Sequence, residues 1–182
     1  MRVMEEMNQN RLGVYRQANT LYFFDEIDSY SVSEALRLLQ LICSESPKKP
    51  RPIQIILNTP GGSVYDGLCL YDYLISLEYP LLIIGTGLVA SMGIIILLAG
   101  QQRYVTKNTR LMTHQVSTAI QGKVSDVKID FNETNELEKI CIGIIAERTG
   151  QSIKSLEKES KMGDKYFGAS EALKRKYIHK IV

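Results

Sequence analysis

The chain has 182 residues, 45% of them hydrophobic and 23% charged, enough for one folded domain with a full core. Its 22 basic and 20 acidic residues leave a net charge of +2 with no long block of one sign, so no nucleic-acid surface is expected. The longest apolar stretch, Met92 to Ala99, falls far short of the roughly 20 residues of a membrane span; it reads as a buried core helix, and no membrane partner is expected.

Residues 1–14 read as a polar N-terminal segment with Glu5 and Glu6 where a secretory signal would need an apolar run, which makes the cytoplasm the expected location. Leu21 to Phe24 predicts a short strand, and Ser31 with Glu34 predicts a capping box opening a helix through Ile42. Pro47 to Pro52 is a loop, Ile53 to Leu57 a β-branched strand, and Asn58-Thr59-Pro60-Gly61-Gly62 its sharp turn. A helix from Ser63, with Val64, Leu68, Leu70, Tyr71 and Leu74 as its apolar positions, leads to a third strand at Leu81 to Ile84, and Ser91 opens the next helix. Arg103 to Thr106 and Arg110 to Gln115 predict two further strands around a Lys107-Asn108 turn.

From Val124 to Arg148, Val127, Phe131, Leu137, Ile140, Ile144 and Ile145 recur at helical spacing, predicting one long helix that ends at Thr149-Gly150. A helix over Ser152 to Ser160 and another beginning near Ser170 complete the chain, with Asp164 in the loop between them. The class is therefore α/β, one domain over residues 1–182, with repeated β-α-β units, a largely parallel sheet and functional groups in the loops after strand ends. Cys43, Cys69 and Cys141 lack CxxC spacing and have aliphatic neighbours, so they read as buried thiols in a reducing compartment, with neither a disulfide nor zinc expected.

The chemistry centres on Ala90-Ser91-Met92-Gly93. A serine at a helix start is commonly a cap, but Ala90 and Gly93 leave room beside this hydroxyl. The N–H groups of the following turn also have no intrahelical acceptor, so they can stabilise an anion. A serine nucleophile needs a base. Of the two histidines, His114 lies in a strand where it shares a face with Met112, whereas His179 sits in a basic tail that lowers its affinity for a proton. His114 is the preferred base, and two histidines without clustered ligands give no metal site. Many carboxylates compete to orient the imidazole; Asp164, beside Tyr166 and Phe167, is chosen as one that could be partly buried. Gly61-Gly62 lacks a P-loop lysine or a GxGxxG continuation, so an N–H aimed at an oxyanion is preferred to nucleotide binding.

Taken in order, Asn58 to Val64, Ala90 to Gly93, Met112 to Gln115, and Asp164 to Phe167 followed by Ala169 and Glu171-Ala172 resemble the ClpP family, the proteolytic subunits of ATP-dependent Clp proteases. The resemblance runs from about Tyr15 to the C-terminus and implies a ClpP/crotonase-like fold with a protruding handle helix at about 124–148. It implies a serine endopeptidase with Ser91 as nucleophile, His114 as general base, Asp164 orienting it, and the Gly62 and Met92 N–H groups as oxyanion hole. It also implies self-association into heptameric rings that can stack as a tetradecamer, unfolded polypeptide as substrate, and no cofactor in this chain. ATP would be used by a separate AAA+ Clp unfoldase, and a second ClpP-type subunit is a further implied partner.

The family's Asp-Arg pair before the triad aspartate is here Met162-Gly163, and its proline and paired glycines after the histidine are here Val116 to Ile120. Gln54 and Ile56 stand where many relatives carry tyrosines, and the segment before the first strand is short. These departures suggest a divergent paralogue or mobile-element version. The alternative readings are a catalytically silent or partner-dependent ring subunit, and a crotonase-like acyl-CoA enzyme, which would have no need of Ser91, His114 and Asp164.

Overall fold

The computed structural model describes residues 13–45, 51–119 and 121–182. Most of the N-terminal segment, most of the Pro47 to Pro52 loop, and Ile120 lie outside the described residues. The elements are β1 (Val14–Gln17), β2 (Thr20–Phe23), α1 (Ser29–Glu45), β3 (Ile53–Thr59), α2 (Val64–Ser76), β4 (Leu81–Ala90) and α3 (Met92–Ala99). They continue with β5 (Gln102–Val105), β6 (Arg110–Thr113), α4 (Val124–Thr149), α5 (Ile153–Ser160), β7 (Lys165–Gly168), α6 (Ala169–Lys174) and β8 (Lys180–Ile181).

The strands run in the order β1-β2-β3-β4-β5-β8, with β6 and β7 branching from β4. The expected parallel sheet is present from β2 to β5 and β8, but the β1-β2 and β6-β7 pairs are antiparallel, so the sheet is mixed. Strand β1 and the short β7, which occupies the expected loop after Asp164, escape the sequence pattern because each buries a single residue and so shows no alternation.

Alternation in β3 sends Ile53, Ile55, Leu57 and Thr59 into the core. The eight residues of α3 are all buried, as its uninterrupted apolar composition predicts, and the helix is enclosed by α2, α4 and the strands. No helix among the described residues is long and apolar enough to cross a membrane.

The start of α1 corrects the expected capping box by one frame. Asp28 is the reciprocal partner: Ser31 N–H donates to Asp28 Oδ1 at 2.8 Å and Asp28 N–H donates to Ser31 Oγ at 3.0 Å. Glu34 instead pairs with Arg37 one turn on, at 2.6 Å. The thiols need correction too. Cys141 is buried, Cys43 is half-buried, and Cys69 is exposed because α2 turns Gly67, Leu70, Tyr71 and Leu74 inward.

Strand β4 carries the feature that builds the site. Its first half, Leu82 to Gly85, pairs with β5, and its second half, Leu88 to Ala90, pairs with β6. Between the halves Gly87 adopts φ 57°, and Asn58 Oδ1 accepts the Leu88 N–H at 2.9 Å. The left-handed residue turns the strand, and the amide satisfies a backbone donor released from the ladder. The sheet thus forks, and β6 ends beside the end of β4.

Behind the fork, Arg103 is 5% exposed and donates to backbone carbonyls rather than to a carboxylate. Its guanidinium reaches Tyr177 O at 2.8 Å, Gly100 O at 3.1 Å, Arg148 O at 3.2 Å and Lys176 O at 3.3 Å. Burial, with Arg148 nearby, pulls its pKa down to about 10. One side chain therefore satisfies the ends of α3 and α4 and the turn before β8. Arg103→Met is expected to lower stability by about 3 kcal/mol or more, since it orphans several buried carbonyls at once. Urea unfolding of the two proteins measures this directly.

Candidate active site

Ser91 is the single residue between β4 and α3, and it holds φ 54°, ψ −122°. A positive φ in a residue with a Cβ costs of order 1–3 kcal/mol and persists only where the surroundings enforce it. Here the Ser91 N–H donates to Met112 O at 2.9 Å and the Ser91 carbonyl accepts Ile94 N–H at 2.9 Å, pinning the residue to β6 on one side and α3 on the other. The sharp strand-to-helix turn leaves the hydroxyl projecting, the geometry of a nucleophile elbow. Its oxygen does not cap the helix; it lies 2.8 Å from His114 Nε2.

His114 directly follows β6, so the same fork that ties Met112 to Ser91 delivers the imidazole to the hydroxyl. With its proton on Nδ1, the ring accepts the Ser91 O–H through Nε2. Asp164 Oδ1 faces Nδ1 at 3.6 Å, beyond hydrogen-bond length, and the Asp164 side chain is 58% exposed. The sequence expectation of a partly buried aspartate is thus corrected. Asp164 follows Gly163, at φ 96°, in a turn after α5 where Met162 is also exposed. Ser91 and His114 are brought together, and Asp164 stands beside them without closing on the ring.

Gly62 forms an isolated parallel bridge with Ile27: Ile27 N–H donates to Gly61 O and Ser63 N–H donates to Ile27 O, each at 2.8 Å. That pattern turns the Gly62 N–H away from Ile27, and Gly62 lines the cavity together with Ser91 and His114. A Cβ on Gly62 would meet the Ile27 carbonyl. Met92 opens α3, so its N–H has no acceptor within the helix. A Cβ on Gly61 would lie 2.6 Å from Ser91 Cβ and 3.2 Å from Met92 N, so the bare glycine keeps both the hydroxyl and this donor accessible.

The cavity beside Ser91 has a volume of about 230 Å³, and Val64, Ile94, Ile95, Val116 and Ile145 make much of its wall apolar. Cys141 also lines it, but burial, reinforced by Glu138, pushes its pKa up to about 11. It is a protonated thiol and a poor nucleophile. The second histidine, His179, is elsewhere: its Nδ1 accepts Arg103 N–H at 3.2 Å, and burial, then Arg103 and Arg148, lower its affinity for a proton. Among the described residues no cluster of His, Cys, Asp or Glu has the make-up to hold a metal ion. Sequence reasoning missed Gly61 as the residue that must stay bare beside Ser91, although it stands in the Pro60-Gly61-Gly62 turn.

Gly61→Ala is expected to destabilise the fold by about 1–3 kcal/mol, because Gly61 has φ 97° and the new methyl would press on Ser91. Thermal unfolding, with a crystal structure to read the Ser91–His114 distance, checks both consequences.

The model of the Clp protease family matches residues 5–182. An ATP-dependent Clp protease proteolytic subunit 2 of Thermobifida fusca (strain YX) is 32% identical over an alignment of 184 residues, which covers 100% of this chain and 88% of that protein. An ATP-dependent Clp protease proteolytic subunit 2 of Bifidobacterium longum (strain NCC 2705) is 30% identical over 164 residues, covering 89% of this chain and 78% of the relative.

Proposed function

The chain belongs to the Clp protease family, and on that premise we propose that it is a serine endopeptidase subunit that cleaves unfolded polypeptide through an acyl-enzyme. The observation that carries the reading is the 2.8 Å contact between Ser91 Oγ and His114 Nε2 at a strained strand-to-helix turn. In this reading His114 takes the hydroxyl proton as Ser91 attacks the peptide carbonyl, and the Gly62 and Met92 N–H groups stabilise the tetrahedral anion. His114 then gives its proton to the leaving amine, and water attacks the ester by the same route in reverse. The apolar cavity beside Ser91 suits an apolar substrate side chain next to the scissile bond. The chain itself supplies every group this chemistry uses.

Assembly into a heptameric ring, single or stacked, fits the first turns of α4, where Val124, Ile129 and Phe131 are exposed and want cover from another subunit. An AAA+ unfoldase that spends ATP, or a second ClpP-type subunit, is the corresponding partner.

One observation favours a second reading, a subunit that is silent until a partner aligns it. The 3.6 Å gap from His114 to an exposed Asp164 leaves the imidazole, among the described residues, without a carboxylate hydrogen-bonded to Nδ1. The two readings differ in what Asp164 contributes.

Ser91→Ala is expected to lower peptide hydrolysis by roughly 10⁴-fold or more with assembly unchanged, as for loss of any serine nucleophile. If the chain works as it stands, Asp164→Asn loses only about 10- to 10²-fold, since a solvated carboxylate at that distance orients the ring weakly. If a partner closes the gap, the loss approaches about 10⁴-fold, as for a buried triad aspartate. Peptidase assays with parallel sedimentation velocity separate these outcomes.

A further inference from the structure

Behind the imidazole lies a smaller cavity, of about 50 Å³, whose walls include Thr113, His114, Val116, Glu138 and Ile142. Glu138 Oε2 accepts the Val116 N–H at 2.6 Å. Its other oxygen, Oε1, and the Thr113 hydroxyl are buried without a hydrogen-bond partner among the described residues. This placement is unusual for a glutamate. Glu138, half-buried beside the buried Leu137, lies on the inward face of α4 that continues through Cys141, Ile142 and Ile145.

The bond is made where the backbone most needs it. The β6-β7 ladder ends at Thr113, and residues 114–119 form no strand. His114 is therefore carried on a segment that has left the sheet. Two residues on, a carboxylate takes its N–H in a short, charge-assisted bond. The cavity behind it is lined by both Glu138 and Thr113 and has room for an ordered water.

We propose that Glu138 is a positioning residue that fixes the Thr113–Val116 segment, and with it the His114 imidazole, against α4 through the Val116 N–H. The proposal rests on the peptidase reading above and deepens it. It makes α4, whose exposed first turns lie far from the chemistry, the direct support of the base.

The test compares wild type with Glu138→Gln, which keeps an acceptor oxygen, and Glu138→Leu, which fills the same space without one. The first readout is hydrogen exchange at the Val116 amide, and the second is peptide hydrolysis resolved into kcat and KM. Glu138→Leu is expected to speed exchange at Val116 and to lower kcat by about 10- to 10²-fold with KM nearly unchanged, the signature of a misplaced base. Glu138→Gln is expected to keep both close to wild type. Should Glu138→Leu not fold, Glu138→Ala, which admits water to the Val116 N–H, carries the same expectation.

An unchanged kcat in a folded acceptor-free variant, or a loss confined to KM, would overturn the proposal. If wild type hydrolyses nothing, the peptidase reading fails by itself and exchange alone decides the clamp. Slow exchange in wild type and Glu138→Gln but fast exchange in Glu138→Leu supports it, and equal exchange in all three overturns it.

Discussion

The site depends on one backbone conformation, the positive φ of Ser91 at the junction of β4 and α3. A residue with a Cβ does not rest there unaided. It is held because its N–H is bonded to β6, its carbonyl to the first turn of α3, and the space against its Cβ is left free by Gly61. The all-buried α3 supplies the leverage: a helix sealed on every side by sheet and helices cannot shift to relax the turn. The result is a hydroxyl that projects from the fold rather than capping its own helix.

The same constraint recruits the other groups. Gly87 and Asn58 turn β4 so that its second half leaves β5 for β6, and β6 then ends with His114 beside Ser91. The bridge from Ile27 holds Gly62 in the cavity wall, and the start of α3 leaves the Met92 N–H without an acceptor in the helix. What the fold does not close is the approach of Asp164. Its turn is open, and the contact with the imidazole is long. The structure thus holds Ser91 and His114 in contact and leaves Asp164 exposed and 3.6 Å away, and this difference gives the choice between a self-sufficient peptidase and one completed by assembly its physical content.

Much of this is legible in the sequence, for reasons that can be named. Long elements with clear periods, α1, α2, β3, α3 and α4, follow from spacing and from Gly150 at the end of α4. The two glycine-rich turns mark the site because glycine is needed where backbones approach closely. The illegible parts are those decided between distant segments. The Asp28–Ser31 box competes with Ser31–Glu34, and only the chain's path before α1 selects the first. The exposure of Asp164 depends on what fails to pack over Met162-Gly163, which no local pattern encodes. Glu138 offered little signal, a carboxylate next to Leu137 on a helix rich in charged residues. Its meaning required knowing that Val116 faces it across the fold.

The central claim is that Ser91 is an activated nucleophile in this protein. Intact-mass analysis after fluorophosphonate treatment, with peptide mapping of wild type and Ser91→Ala, tests it most directly. The account predicts a single adduct mapped to Ser91 in wild type and none in Ser91→Ala. Absence of an adduct from the assembled wild type, or an adduct that persists in Ser91→Ala, would contradict it.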